Sequence, residues 1–149
     1  MAARFHFRLE TLRRLREALE REAERSLARE LLAERAIRDE IDALTAQRQA
    51  VFESRRIALG QMLDLDLWRT GEAFLVVLER RQIQAFERLR EASRRVAAAR
   101  EALIAAHRDH LMLVRLKERR ALQHAHEQDL REALALDELA VLRHARQTA

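Results

Sequence analysis

The sequence predicts an all-α protein, a long antiparallel two-helix coiled-coil hairpin whose C-terminal helix is the longer one. The 149 residues are 48% hydrophobic and 36% charged, a composition typical of long amphipathic helices. The chain has 2 glycines and no proline, too few turn residues for a β-sandwich or barrel and too few glycines for a phosphate-binding loop. Its apolar residues also recur at coiled-coil spacing, which favours paired helices.

The two glycines confine the helix breakers to the middle of the chain. Gly60 is suited to cap the first helix, because glycine adopts the left-handed conformation without steric cost. Asp64 or Asp66 is suited to be the N-cap of the second helix. Gly71 then lies inside that helix, at a cost of ~1 kcal/mol relative to alanine. We predict one hairpin domain over 1–149, with a first helix at about 3–58, a turn at about 59–64 and a second helix at about 65–146.

The seam of the second helix contains a strict heptad with small residues between its members. The heptad positions are Leu89, Val96, Leu103 and His110, and the small residues are Ala92, Ala99 and Ala106. Small side chains let a partner helix approach closely, and a polar residue at a seam position fixes register at a cost in stability. We therefore expect the two helices to pack tightly along this stretch.

Folding the hairpin near residue 62 leaves the end of the second helix without a partner. Residue i of the first helix then faces roughly residue 124 − i of the second, and residues after about 122 overhang by ~40 Å. The overhang still carries apolar residues, namely Leu130, Leu134, Ala140 and Val141. An amphipathic helix with no mate in its own chain implies a mate elsewhere, and two helices cannot enclose a pocket. The architecture predicts a protein that contacts other proteins.

No group of residues in the sequence predicts catalysis or metal binding. The chain has no cysteine, which excludes disulfides and thiolate metal sites. His107 and His110 share a helix face, but a third ligand from that face is missing, so we expect surface or seam histidines and no metal. Serines and carboxylates do not converge in a concave site, and we therefore predict no enzymatic activity and no cofactor.

The charge pattern does not favour nucleic acid or membrane insertion. A net charge of +4 spread over long helices is a weak field. Adjacent arginines such as Arg80 and Arg81 diverge by ~100° around a helix, and no aromatic platform for bases accompanies them. No segment approaches the ~18 uncharged apolar residues that span a bilayer, and the N-terminus lacks the apolar stretch of a signal peptide. We expect a cytoplasmic monomer with no nucleic-acid partner and no direct membrane insertion.

The scarce aromatic residues have two possible roles. They cluster at the N-terminus and near or after the turn, at Phe5, Phe7, Phe52, Trp68, Phe74 and Phe86. They either fill the seam and the end of the hairpin, or some of them are exposed anchors for a partner, since aromatic residues dominate binding hot spots.

Several short motifs follow one another in a recognisable order. Residues 5–17 read FHFRLETLRRLRE, residues 116–120 read LKERR, and residues 136–140 read LDELA. Trp68 is followed by Phe74 and Leu78. Over nearly its whole length the chain resembles the FliJ family of flagellar type III export proteins. The stalk proteins of injectisome secretion systems share this architecture and stay an alternative, as does a generic coiled-coil scaffold without an ATPase partner.

The resemblance implies a non-enzymatic accessory or chaperone protein of the flagellar export apparatus. Such a protein acts as a stalk between the export ATPase ring and the cytoplasmic domain of the membrane export gate, and it interacts with export chaperones. The resemblance also implies a role in flagellum biogenesis and motility, with peripheral association to the inner-membrane export apparatus.

The resemblance also suggests which residues contact those partners. Phe74 and Leu78 match the family's gate-contacting face, on which Arg81 and Ala85 replace an expected small residue and histidine. The end of the hairpin that carries both termini would enter the ATPase ring. Its candidate contacts with acidic ring residues are Arg8, Arg13, Arg14, Arg119 and Arg120.

Overall fold

The computed structural model describes residues 4–61 and 64–147, which form two long α-helices and, within those ranges, no β-strand. Helix α1 is Glu10–Ala58 and helix α2 is Leu65–Gln147, of 49 and 83 residues. The predicted all-α hairpin with a longer second helix is confirmed. Residues 62 and 63 of the predicted turn lie outside the described residues, and the single domain stays a prediction.

The sequence predicts that the first helix begins near residue 3, but helix α1 begins at Glu10. Residues 4–7 have no regular structure and residues 8–9 form a turn. Phe7 is buried in this segment, and the Phe5 ring lies 5.7 Å from the His124 ring. Side chains two positions apart point to different sides of a helix but to the same side of an extended segment. The non-helical start therefore lets both phenylalanines pack inward.

The end of α1 is closed by tight turns and not by a left-handed glycine. The predicted conformation of Gly60 is wrong, because no described glycine has a positive φ. Instead the Gly60 N–H donates to the Ile57 carbonyl at 3.1 Å, and the Gln61 N–H donates to the Ala58 carbonyl at 3.1 Å. These hydrogen bonds join residues three positions apart, as in a 3₁₀ turn, and they satisfy carbonyls that have no hydrogen-bond donor at the C-terminus of an α-helix.

The start of α2 has the N-cap that the sequence predicts. The Asp64 Oδ1 accepts hydrogen bonds from the N–H of Asp66 at 3.0 Å and from the N–H of Leu67 at 3.3 Å. These two donors are among those that have no partner inside a helix. Of the two aspartates considered, Asp64 is therefore the cap.

The chain divides into two compact units, each of which contains a part of both helices. The bend unit is Glu22–Ile104, and the terminal unit comprises the described residues of Met1–Arg21 and Ala105–Ala149. In the bend unit, a thin seam joins α1 to α2. The residues at its centre are Ile41 and Leu44 of α1 with Leu78 and Ala85 of α2, all at most 8% exposed.

Small residues on α2 let the helices approach closely in the bend unit. Ala85 and Ala92 are both 0% exposed, and Val96 is 4% exposed. An alanine at a seam position lets the backbone of the partner helix lie closer than a leucine would. The space between the helices is then filled by few atoms, and water is excluded from it. The antiparallel pairing is visible where Glu34 meets Ser93 and where Arg55 meets Glu72.

Replacing Leu78 by alanine should destabilise the hairpin strongly. Leu78 is 1% exposed, and a Leu→Ala change at a buried site costs about 2–5 kcal/mol through lost burial and the cavity left behind. Urea unfolding followed by helical circular dichroism measures this loss. Leu122→Ala is the matched control, because Leu122 is 71% exposed and its truncation should change the free energy of unfolding by less than about 0.5 kcal/mol. Equal unfolding midpoints for the two variants would contradict the burial of Leu78 in the seam between α1 and α2.

Candidate functional site

The four residues matched to a gate-contacting face divide between the core and the surface. Phe74, Leu78, Arg81 and Ala85 follow helical spacing along one side of α2. Leu78 and Ala85 are 1% and 0% exposed and pack in the seam, whereas Phe74 is 44% exposed and Arg81 is exposed. The structure therefore offers Phe74 and Arg81 to a partner, while Leu78 and Ala85 hold α2 against α1.

Phe74 lines an open, largely apolar groove next to the bend. The groove has a volume of about 590 Å³, and its apolar lining residues include Val51, Ala58, Leu67, Trp68 and Phe74. Leu67 is 67% exposed, so much of its side chain meets water. Apolar side chains around a groove are suited to receive an apolar residue of another protein.

Arg55 fixes the wall of this groove. Its guanidinium carbon lies 4.4 Å from the centre of the Trp68 ring, a cation–π contact. The Nη2 atom of Arg55 donates hydrogen bonds to the Trp68 carbonyl at 3.4 Å and to the Glu72 carboxylate at 3.1 Å. The Nε atom is buried without a hydrogen-bond partner. No sequence motif indicates this contact, although the predicted register places Arg55 close to Trp68.

Two of the five predicted ATPase-contacting arginines are paired within the chain. Arg13 is only 19% exposed, and its Nη2 lies 2.8 Å from a Glu10 carboxylate oxygen. The hydrogen bond from Arg13 to Glu10 raises the pKa of Arg13. The Arg14 side chain is 74% exposed, and its Nε lies 3.6 Å from the same carboxylate. Arg13 therefore has a structural partner, whereas Arg14 is held only loosely.

The other three arginines remain available to a partner. Arg8, Arg119 and Arg120 are exposed, and none of them forms an ion pair with another residue of the ranges 4–61 and 64–147. Arg8 and Arg120 line the same open groove of about 440 Å³, which Phe5 and His124 also line. This groove thus brings together two of the predicted cations, Arg8 from the segment before α1 and Arg120 from α2.

Glu10 links the start of α1 to α2. Its carboxylate accepts hydrogen bonds from Arg13 on its own helix and from Nζ of Lys117 on α2, the latter at 2.9 Å. These hydrogen bonds, first that from Arg13 and then that from Lys117, lower the pKa of Glu10 to about 2. The pair fixes the position of the N-terminal segment against α2 in the terminal unit.

A second carboxylate of α1 binds His107 and His110, the two histidines that share a face of α2. One oxygen of Glu20 contacts Nδ1 of His107 and the other contacts Nδ1 of His110. The hydrogen bond with His107 is the main cause that lowers the pKa of Glu20. No group of three metal-ligating side chains that could hold an ion occurs among the described residues. Sequence spacing could not reveal this cluster, because 87 positions separate Glu20 from His107.

The last part of α2 is helical and exposed on every side. All residues of 129–147 are exposed. Leu130 and Val141 are 51% and 68% exposed, and on the far side of the helix Leu139 and Leu142 are 52% and 57% exposed. A helix that is apolar on more than one side is suited to a site with neighbours on more than one side. This segment, which we call the α2 tail, carries exposed apolar side chains in the terminal unit.

Within the two described ranges, no helix combines the length and the apolarity needed to cross a bilayer. The fold and its surfaces define a helical-hairpin protein whose apolar side chains are largely exposed along the outside of two helices. A family model described as flagellar FliJ protein matches residues 5–149. The chain therefore belongs to the FliJ family, a family of non-enzymatic components of flagellar export. No curated relative and no solved structure matches the chain significantly.

Removing the Glu10 carboxylate should lower thermal stability in a pH-dependent way. The pKa of Glu10 falls from its ordinary 4.5 to about 2 in the folded chain. A lowered folded-state pKa gives stabilisation that is complete above about pH 4.5 and is lost as the pH falls toward 2. Melting temperatures of the native chain and Glu10→Gln, measured between pH 7 and pH 2, should therefore converge at acid pH.

Glu118→Gln is the control for this titration, because Glu118 is exposed and forms no ion pair with the rest of the described chain. Its melting temperature should follow that of the native chain at every pH. A gap between the native chain and Glu10→Gln that stays constant from pH 7 to pH 2 would contradict the assigned hydrogen bonds.

Proposed function

We propose that this chain is a non-enzymatic accessory or chaperone protein of the flagellar type III export apparatus and acts as a stalk between the export ATPase ring and the membrane export gate. In this role it is a cytoplasmic monomer, peripherally associated with the inner-membrane export apparatus, and it also meets export chaperones. Membership of the FliJ family supports the flagellar part of the proposal. The stalk role and the individual partners rest on the surfaces described above.

The observation that carries the proposal is the set of exposed apolar side chains on the α2 tail, at Leu130, Leu139, Val141 and Leu142. These side chains face water on two sides, a condition that costs free energy unless a partner covers them. A ring of subunits surrounds whatever enters its central opening, so it can cover opposite sides of a single helix at once. A flat binding surface on a single protein would leave the far side of the α2 tail exposed.

The exposed arginines of the terminal unit supply the polar part of this interaction. Arg8, Arg119 and Arg120 have no carboxylate partner in the described chain. Arginine pairs with carboxylates through two parallel hydrogen bonds, so acidic residues around an opening would hold these side chains. Exposed ion pairs contribute only about 0–1 kcal/mol each, which permits a contact that can be released.

Phe74 and Arg81 of the bend unit supply the contact with the gate. Phe74 is a half-exposed aromatic residue beside an apolar groove, the surroundings in which binding hot spots occur. Arg81 lies two turns further along the same side of α2 and is exposed. Leu78 lies between them and stabilises this part of α2 from inside the seam.

Reversing the three exposed arginines should weaken binding to the export ATPase. The triple variant Arg8→Glu, Arg119→Glu, Arg120→Glu replaces attraction to acidic ring residues by repulsion. Co-purification with the flagellar export ATPase of the same organism should fall at least tenfold. The control carries the same change of charge at other exposed arginines, as Arg35→Glu, Arg69→Glu, Arg80→Glu, and should bind like the native chain. Equal binding by both triple variants would contradict the proposed contact.

Truncating Phe74 should weaken binding to the gate without unfolding the hairpin. Phe74→Ala removes an exposed aromatic anchor, and the affinity for the cytoplasmic domain of the export gate should fall at least tenfold by calorimetry. Val76→Ala is the matched control, because Val76 is a 56% exposed apolar residue on the other side of α2. If Phe74→Ala binds as tightly as Val76→Ala, the gate contact lies elsewhere.

A further inference from the structure

A second groove in the bend unit lies on a side of α2 that the proposed function does not use. It is open, has a volume of about 640 Å³, and is lined by Phe86, Leu89, Arg90, Ser93, Arg94 and Ala97. These positions follow helical spacing over about three turns, a length of about 16 Å. Phe86 lies about 120° around α2 from Phe74, so the two aromatic residues belong to different faces.

The floor of the groove is apolar and exposed to solvent. Phe86 is 52% exposed, Leu89 is half-buried at the edge of the seam, and Ala97 is exposed. Ile83, one turn before Phe86, is 55% exposed and extends the apolar strip toward the bend. The strip has the shape and spacing that receives the apolar side of another helix.

The charged residues that line the groove are both arginines. Arg90 is exposed and has no ion pair with any residue in the described part of the chain. Arg94 has a single carboxylate near it, that of Glu91 at 3.7 Å, and both side chains of this pair are more than half exposed. Such a pair is weak in water. Neither arginine is therefore committed to a structural contact.

The α1 carboxylate beside the groove, that of Glu34, is already hydrogen-bonded within the bend unit. Glu34 of α1 accepts a hydrogen bond from the Ser93 Oγ at 2.6 Å and from Nη2 of Arg38 at 3.0 Å. The Ser93 hydrogen bond is the main cause that lowers the pKa of Glu34. Glu34 therefore stays ionised and engaged within the bend unit, and it does not neutralise Arg90 or Arg94.

We propose that this groove docks an amphipathic helix of a partner protein that carries acidic residues along the edge of its apolar side. The apolar side would cover Phe86, Leu89 and Ala97, and its carboxylates would pair with Arg90 and Arg94. Arginine at the rim of an apolar strip selects acidic over basic helices, because a like charge placed there would be repelled. The proposal concerns a separate face and does not rest on the stalk role.

A synthetic helix tests the proposal directly. The probe is a fluorescein-labelled 18-residue peptide with leucines at i, i+3, i+4 and i+7 spacing and glutamates on both flanks. Its fluorescence anisotropy is measured with the full chain at 0.15 M salt. One control peptide has the same composition in scrambled order, so that its leucines no longer share a side, and another has lysines in place of the glutamates. We expect each control peptide to bind at least tenfold more weakly than the probe.

Variants locate the binding site on the chain. Arg90→Glu with Arg94→Glu, and separately Phe86→Ala, should each weaken binding of the probe at least tenfold. Arg69→Glu with Arg80→Glu matches the charge change, and Phe52→Ala removes a 49% exposed phenylalanine outside the groove. Both control variants should bind the probe as the native chain does. Circular dichroism should show native helix content for all four, because every substituted side chain is exposed.

Three results would overturn the proposal. Equal binding of the ordered and scrambled peptides would mean that charge alone attracts the probe. Loss of self-association in Arg90→Glu with Arg94→Glu, seen by analytical ultracentrifugation, would assign the groove to a second copy of this chain. Direct binding of a short fluorescein-labelled single-stranded DNA to the native chain more tightly than the probe, with loss of that binding in the Arg90→Glu, Arg94→Glu variant, would assign the groove to nucleic acid.

Discussion

The close antiparallel packing of α1 on α2 at Ala85 and Ala92 determines which side chains of the two helices are buried and which face solvent. Both alanines are fully buried, and the larger seam residues Ile41, Leu44 and Leu78 pack beside them. Two helices bury only one side each, so this seam has no interior in which to build a site. Most apolar side chains therefore remain on the outside, and the surfaces available to partners are the faces that the seam does not use.

Polar contacts across the seam set which residues lie opposite one another. Glu34 with Ser93 and Glu40 with Arg88 join the helices in the bend unit, and Glu10 with Lys117 joins them in the terminal unit. Each exposed pair contributes little to stability on its own. A shift of one helix by a turn would break all of them together, so these contacts make one register more stable than its neighbours.

Periodicity and helix-breaker positions in the sequence were sufficient to predict the hairpin, an aspartate cap at position 64 or 66, and the exposed end of α2. Long-range contacts were not predictable in this way. The start of α1 depends on the burial of Phe7. The matched gate-contacting face includes Leu78, which is a core residue, because a shared motif does not tell which side chains turn inward. Contacts also join higher residue numbers than the predicted register: Glu10 of α1 meets Lys117 of α2 and not residue 114. Helical side chains lean toward the N-terminus, so each helix meets its partner with a residue further along its own sequence.

The antiparallel register can be tested most directly by crosslinking, because the chain has no cysteine of its own. Two cysteines placed at Glu34 and Ser93, whose side chains are in contact, should be joined within one molecule by a short bismaleimide reagent. Cysteines placed at Glu34 and Glu79 should not be joined, because position 79 lies about 21 Å along α2 from position 93. Equal yields for the two pairs, or products that form only between two molecules, would contradict the hairpin and the surfaces derived from it.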